Sequence, residues 1–124
     1  MIEPKFLKSE THIKKWGNEV WVCNNNEFCG KVLNIYKGKS FSFHFHINKR
    51  EVFWVFKSKL EFEYLDLENA DRKCVILIPG DVVEIPRNLP HKLTALEDDA
   101  QIIEFSTHHE DSDSYRIEKG DSQK

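Results

Sequence analysis

Residues 41–46 read Phe-Ser-Phe-His-Phe-His, and this stretch decides the fold class. Apolar and polar side chains alternate here at period two, which is typical of a β-strand with one apolar face and one polar face. The three phenylalanines are expected to share the apolar face. His44 and His46 then point together from the other face with their Cα atoms about 6–7 Å apart, so both imidazoles can approach one metal ion.

Short alternating runs of this kind, separated by turn residues, extend over most of the chain. About nine such runs and no convincing helical period predict an all-β barrel or sandwich. Residues 74–78 are expected to form a short buried strand, and residues 8–14 show a weak preference for a short helix. Residues 108–124 are polar and are expected to be a solvated, partly frayed tail. The predicted strands are residues 20–23, 28–36, 40–47, 51–56, 60–65, 74–78, 82–85, 91–95 and 101–107.

Length and composition predict one domain, residues 1–124, with its core in residues 20–107. The chain has 18 Lys and Arg against 21 Asp and Glu, a net charge of −3, and no basic block, which argues against nucleic-acid binding. Its three cysteines form no CxxC pair, so reduced thiols are expected. With no signal peptide and no apolar run of about 20 residues, the sequence predicts a soluble cytoplasmic protein that does not associate with membranes.

An isolated His-x-His pair is weak evidence for a metal site, but two further residues strengthen it. Glu51 begins the strand that follows the turn after His46, so a hairpin can bring its carboxylate beside the two histidines. His91 comes later, framed by turn residues. As spacings, the two blocks are Gly38-x5-His44-x-His46-x4-Glu51-x6-Ser58 and Gly80-x5-Pro86-x3-Pro90-His91.

These blocks resemble the two motifs of the cupin superfamily, G-x5-HxH-x3,4-E-x6-G and G-x5-PxG-x2-H-x3-N. The resemblance spans roughly residues 30–107. Ser58 and Asn88 replace motif glycines, and Asn tolerates positive φ better than most residues, so that turn can survive. Ala95 replaces a terminal Asn that is not a ligand. The resemblance implies a single-domain jelly-roll β-barrel of six to eight strands, with a metal held by four side chains: His44, His46, Glu51 and His91.

Three imidazoles and one carboxylate suit a divalent ion, namely Fe(II), Mn(II), Zn(II), Ni(II) or Co(II). On an octahedral ion, four protein ligands leave two positions for water or substrate. The predicted site is therefore compatible with catalysis, and also with a scaffold or sensor that only binds.

Three shorter segments resemble the type II mannose-6-phosphate isomerases: residues 15–19 (Lys-Trp-Gly-Asn-Glu), residues 29–31 (Cys-Gly-Lys) and residues 103–117. The resemblance implies isomerisation of a sugar or sugar phosphate, in which a metal polarises the substrate oxygens and a side chain moves a proton between carbons. Glu104 and Lys31 are the candidate catalytic residues, and Lys31 is also a candidate anchor for a phosphate or hydroxyl group. Arg116 and Trp16 are the candidate substrate-binding residues.

Three functions remain open from the sequence. The first is a metal-dependent isomerase or epimerase acting on a sugar-like small molecule. The second is a non-haem Fe(II) dioxygenase with the same ligands, and the third is a cupin that binds a small molecule without turnover. By resemblance to small cupins, which pair through edge strands, a homodimer is expected.

Overall fold

The structure is a computed structural model and describes residues 2–124. Over these residues the regular structure is eleven β-strands and two single-turn 3₁₀ helices, Asp111–Asp113 and Asp121–Gln123, which confirms the all-β prediction. None of the helices described is long and apolar enough to cross a membrane. The strands are β1 (Glu10–Lys14), β2 (Gly17–Asn24), β3 (Cys29–Ile35), β4 (Phe43–His46), β5 (Glu51–Lys57), β6 (Leu60–Leu65), β7 (Arg72–Leu77), β8 (Val82–Ile85), β9 (His91–Ala95), β10 (Ala100–Ser106) and β11 (Ser114–Glu118).

The strands form two antiparallel sheets. Sheet A has the order β1-β2-β3-β10-β5-β8, and sheet B has the order β11-β4-β9-β6-β7. Both sheets contribute side chains to a single buried cluster, which is the double-sheet arrangement of a jelly roll. Its most buried members are Val55, Leu60, Leu93, Ala95 and Ile102.

Period two along the strands places the polar site inside the barrel. On β10, Ile102 and Glu104 are buried whereas Phe105 is 54% exposed. On β5, Glu51 is buried together with Phe53 and Val55 at the same parity. Each strand therefore carries apolar residues into the core and one acidic residue further along the same inner face.

Two turns carry non-glycine residues in the left-handed region, at positions where the cupin motifs have glycine. Ser58 has φ of 69° and Asn88 has φ of 72°. The backbone N–H of Asn88 donates a 2.7 Å hydrogen bond to the carbonyl of His46. Asn88 therefore keeps the turn that the second motif requires, as predicted from its tolerance of positive φ.

The N-terminal segment forms a strand at residues for which the sequence weakly favoured a short helix. β1 pairs with β2 in antiparallel register, from Glu10 opposite Trp21 to Lys14 opposite Gly17. Gly17 has φ of 150°, and a Cβ at this position would lie 1.8 Å from the carbonyl oxygen of Asn34, so the site suits glycine. The hairpin pairing outweighs the weak helical preference of residues 8–14.

The C-terminal segment is not the frayed tail that its polarity predicted. β11 pairs with β4, with Ser114 opposite His46 and Arg116 opposite His44. Asp113 is 5% exposed, and its carboxylate accepts backbone N–H groups of residues 47–49. Specific hydrogen bonds, which a hydropathy pattern does not show, hold this segment as a wall of the barrel.

The strand predicted at residues 74–78 is present but exposed. β7 lies at the edge of sheet B and pairs with β6, and of its six residues Leu77 is the buried one. Ile76 is 50% exposed. A short apolar run predicts a strand but not its place in the sheet, which explains the error.

Candidate metal centre

Three imidazoles meet inside the barrel on sheet B. His44 and His46 share a face of β4, and His91 begins β9 directly opposite His44. One ring nitrogen from each lies within 4.8 Å of the others. Glu51 reaches the group from the start of β5, with Oε1 3.1 Å from His46 Nε2 and Oε2 3.0 Å from His91 Nε2.

Backbone carbonyls orient all three rings through Nδ1. The distances are 2.8 Å from His44 to the Ser42 carbonyl, 3.0 Å from His46 to that of Asp113, and 2.8 Å from His91 to that of Leu89. A carbonyl only accepts, so Nδ1 carries the proton and Nε2 presents its lone pair. A histidine fixed in this way is preorganised to bind a metal through Nε2.

Two buried atoms at the centre lack hydrogen-bond partners, and they face each other. These are Nε2 of His91 and Oε2 of Glu51. With the His91 proton on Nδ1, both atoms are acceptors, and leaving such groups unpaired costs about 1–3 kcal/mol each. A cation between them removes this conflict, so the residues present fit a divalent metal.

The charge states of the centre also suit a metal. Burial, followed by the neighbouring His91 and His46, lowers the pKa of His44 well below its usual value, so the ring stays neutral. Burial alone would raise the pKa of Glu51, but the Lys49 ammonium holds it well below the usual range. Neutral imidazoles and an ionised carboxylate are the forms that bind metal.

Lys49 was not anticipated as part of the site, because the sequence predicts only a turn at residues 48–50. Its Nζ lies 2.9 Å from Glu51 Oε1 and 2.8 Å from Glu104 Oε2, and it donates a 3.0 Å hydrogen bond to His109 Nδ1. Burial alone would lower the pKa of Lys49, but the carboxylates of Glu104 and Glu51 raise it above the ordinary value. The i, i+2 spacing of Lys49 and Glu51 was the available signal, since such residues share a face on extended backbone.

A cavity of about 270 Å³ opens beside the centre. Seven of the eight site residues predicted from the sequence line it, and His91 lies behind Glu51 as the eighth. The seven are Trp16, Lys31, His44, His46, Glu51, Glu104 and Arg116. The structure thus brings the predicted residues together, while their catalytic and binding roles stay predictions.

The four predicted non-metal residues occupy different positions in this cavity. Glu104 is buried and held by Lys49, and Lys31 is buried with its Nζ 3.3 Å from Glu19 Oε1 and 4.4 Å from the Trp21 ring centre. Arg116 is exposed on β11. Trp16 is only 3% exposed and belongs to the core cluster, so it offers the cavity little surface on which a sugar ring can stack.

Phe41 does not lie on the face that the alternation predicted. Phe43 and Phe45 do point away from the ligands: the Arg72 guanidinium lies 4.4 Å over the Phe43 ring, and Phe45 stacks on Tyr115. The ring centre of Phe41 instead lies 5.2 Å from that of His44 and lines the cavity. Regular pleating begins only at Phe43, so period two does not extend back to Phe41.

The segment that was expected to be a solvated tail contributes further cavity residues, among them His109 and Asp111. His109 Nε2 lies 2.9 Å from an Asp111 carboxylate oxygen, and both residues line the cavity. Burial, followed by the charges of Lys49 and Lys31, lowers the pKa of His109. Since Lys49 donates to Nδ1, the neutral ring donates from Nε2 to Asp111, which completes a polar network along this wall.

Comparison with known proteins agrees with the fold. Residues 11–118 match the family model described as Cupin, so the chain belongs to the cupin family. Its sheets resemble those of the capsular polysaccharide assembling protein CapF from Staphylococcus aureus, with a TM-score of 0.80 and 18% identity over 91% of this chain and 32% of that one. Oxalate decarboxylase from Bacillus subtilis has a TM-score of 0.78 and 16% identity, over 88% of this chain and 30% of the other.

The chain spans about a third of the length of these solved proteins, and the likeness shows the fold alone. No curated protein matches the sequence. These comparisons do not show the specific relation to mannose-6-phosphate isomerases that three short segments suggested, so that relation stays a prediction.

Proposed function

We propose that this cupin is a divalent-metal-dependent isomerase or epimerase of a sugar or sugar phosphate. The observation that carries the proposal is a buried carboxylate outside the ligand set: Glu104 lines the same cavity as the histidines and is joined to Glu51 through Lys49. Residues from all three segments that resemble sugar isomerases, including Glu19, Lys31 and Arg116, also line this cavity.

Isomerisation requires a base that removes a proton from one carbon and returns it to the next. A divalent ion held by His44, His46, Glu51 and His91 would polarise the carbonyl and hydroxyl oxygens of an open-chain sugar. Lys49 and Ser106 both contact Oε2 of Glu104, at 2.8 Å and 3.2 Å, so Oε1 is the oxygen left to exchange a proton. Lys31 and Arg116 supply cations for a phosphate or hydroxyl group.

The experiment is NMR of the metal-loaded protein with mannose, glucose and fructose phosphates in D₂O. Product resonances and deuterium at the carbon next to the carbonyl are expected. Glu104→Gln should lower turnover by roughly 100-fold or more, the contribution typical of a general base, with metal content unchanged. Glu84→Gln, a substitution at an exposed glutamate on β8, is the matched control and should keep full activity.

The absence of turnover and of deuterium exchange with every tested sugar and sugar phosphate would refute the isomerase. The second candidate is a non-haem Fe(II) dioxygenase, favoured by a ligand set of three histidines and one carboxylate that leaves positions open. Oxygen uptake by the Fe(II)-loaded protein, without isomerisation, would support this candidate. Metal and ligand binding without either reaction would support the third reading, a non-catalytic binding protein.

A further inference from the structure

Residues 119–124, which we name the mouth segment, form one wall of the cavity beside the metal centre. Two of its side chains line the cavity together with residues of β1 and β11, the end strands of the two sheets. The backbone N–H of Lys15 donates a 3.1 Å hydrogen bond to Ser122 Oγ. The Ser40 N–H donates 2.8 Å to the Asp121 carboxylate, and the Asp121 N–H donates 3.0 Å to the Ser40 carbonyl. These bonds hold the mouth segment in place.

Gly120 fixes how closely the mouth segment packs against the barrel. A Cβ at this position would lie 2.3 Å from the backbone nitrogen of Ser42 and 2.4 Å from the carbonyl carbon of Phe41. Both are backbone atoms in a well-packed region, so a side chain here would push the segment outward. Phe41 and Ser42 line the same cavity. The position of the segment therefore sets the shape of the cavity mouth.

The mouth segment offers hydrogen-bond donors to the cavity, because its acceptors are already engaged. Oε1 of Gln123 accepts a 2.9 Å hydrogen bond from the backbone N–H of Gly120, which leaves the Nε2 amide hydrogens as the free polar groups of this side chain. The Ser122 oxygen accepts from Lys15, and its own O–H stays available to donate. The segment therefore suits a ligand group that carries acceptors only.

Two cations complete the mouth. Arg116 on β11 lies directly opposite His44 on β4, and residues opposite each other in antiparallel strands project from the same face of the sheet. Its guanidinium therefore extends from the face that carries the histidines, one strand away from them. Lys14, at the end of β1, lines the cavity from sheet A. Among residues 2–124, neither cation lies within 4.0 Å of a carboxylate oxygen.

The charges of the whole cavity favour an anionic ligand. Four cations and four carboxylates line it, so their formal charges cancel. A divalent ion at the histidines would leave two positive charges in excess, and charge without compensation is costly away from water. A phosphate monoester carries a charge of about −1.5 to −2 at neutral pH and removes this excess. The cations are Lys14, Lys31, Lys49 and Arg116, and the carboxylates are Glu19, Glu51, Glu104 and Asp111.

We propose that the cavity mouth is a phosphate subsite and that it makes the protein select a phosphorylated sugar over a free one. The proposal rests on the proposed function, because the metal centre would act on the other end of the same molecule. Phosphate oxygens only accept, and they pair with a guanidinium in bidentate geometry and with an ammonium as a point charge. A sugar hydroxyl also has a proton to donate, for which this mouth offers no free acceptor. The subsite consists of Lys14, Arg116, Ser122 and Gln123.

Calorimetric titration of the full-length, Zn²⁺-loaded protein with glucitol 6-phosphate and with glucitol tests the proposal. Neither ligand has a carbonyl group, so neither is isomerised and binding is measured without turnover. The phosphate should bind more tightly by about tenfold or more, the contribution typical of charged hydrogen bonds. Arg116→Gln should remove most of this preference. Gln123→Glu should do so as well, since it keeps the acceptor for the Gly120 N–H but places a carboxylate oxygen where the amide donates.

Lys37→Gln, at an exposed lysine after β3 and outside the cavity, is the matched control and should keep the full preference. Metal content and the circular dichroism spectrum should be unchanged in all three variants. Equal affinity of the wild type for both ligands would overturn the proposal, even for a protein that isomerises free sugars. Folded Arg116→Gln and Gln123→Glu variants that match the control would also overturn it, because the phosphate would then bind elsewhere, for example on the metal. A preference that is lost in these variants supports the subsite even if no isomerase activity is found.

Discussion

The protonation of individual histidines decides whether the centre can bind a metal. His44, His46 and His91 each donate from Nδ1 to a backbone carbonyl, so the tautomer is set by the fold and not by the metal. His44 is also kept neutral, because burial and the other two imidazoles lower its pKa well below 6.5. The metal-free protein thus has a proton-sensitive centre.

We expect the metal-free protein to lose stability as the pH falls below about 6.5. The unfolded chain protonates His44 near its usual pKa, whereas the folded chain does not. The free energy of unfolding is therefore at its full value above that pH and decreases by about 1.4 kcal/mol per pH unit below it. Urea unfolding in EDTA between pH 7.5 and 5.0 measures the slope.

His44→Gln should reduce the dependence of the unfolding free energy on pH by about 1.4 kcal/mol per pH unit, which corresponds to one proton. His108→Gln, at a histidine beyond β10 and outside the cavity, should leave this dependence unchanged. Equal slopes for the wild type and His44→Gln would show that another group is responsible.

At the scale of elements, the C-terminal segment and the turn after β4 form one unit. Asp113 joins them twice: its carboxylate accepts N–H groups from residues 47–49, and its carbonyl holds His46 Nδ1 at 3.0 Å. β11 then pairs with β4 beside the same histidine. His46, a predicted metal ligand, is thus positioned by a strand that follows it by more than 60 residues.

Asp113→Ala should lower the free energy of unfolding by about 2–4 kcal/mol, because it leaves buried backbone N–H groups without their charged acceptor. Metal affinity should fall as well, since the turn that carries His46 and Lys49 loosens. Ser112→Ala, in the same 3₁₀ turn but exposed, is the control and should change stability by less than about 0.5 kcal/mol. Urea denaturation and a metal titration measure both effects, and an Asp113→Ala variant as stable as the control would contradict this role.

At the scale of the whole molecule, the predicted metal ligands come from both sheets. Glu51 belongs to sheet A, and the three histidines belong to sheet B. An ion bound by these residues would therefore link the two layers of the barrel, and it would bind only where both layers are in place. We therefore expect metal binding and folding to be coupled.

Removal of the metal should accordingly lower the melting temperature. An ion present at 100 times its dissociation constant adds about 2.7 kcal/mol, which for a chain of this size corresponds to roughly 10 °C. Calorimetry with EDTA and after addition of Mn²⁺, Fe²⁺ or Zn²⁺ at one fixed protein concentration measures the shift. His91→Ala should fold but show no shift and no bound metal. A metal-dependent shift of wild-type size in His91→Ala would contradict the ligand assignment.

Local patterns carry much of this fold, because period two is a property of consecutive residues. The alternation on β4, β5 and β10 correctly separates inward from outward side chains, as for Ile102 and Phe105. The hydropathy patterns gave wrong predictions at positions where the structure depends on which strands pair with each other. The weak helical preference before β2 gives way to a hairpin, β7 is an exposed edge, and Phe41 lies before the regular pleat begins.

By itself, the sequence determined the all-β class and the shared face of His44 and His46, since spacing along a strand sets which residues share a face. The resemblance to the cupin motifs implied the full set of four side chains, His44, His46, Glu51 and His91. Only the tertiary structure decided the rest of the site. Lys49, His109 and Asp111 reach the cavity because Asp113 ties a polar segment against the β4–β5 turn. The mouth of the cavity also emerges only in the folded chain, because Lys14, Arg116 and Gln123 come from segments that are far apart in the sequence or carry no hydropathy pattern.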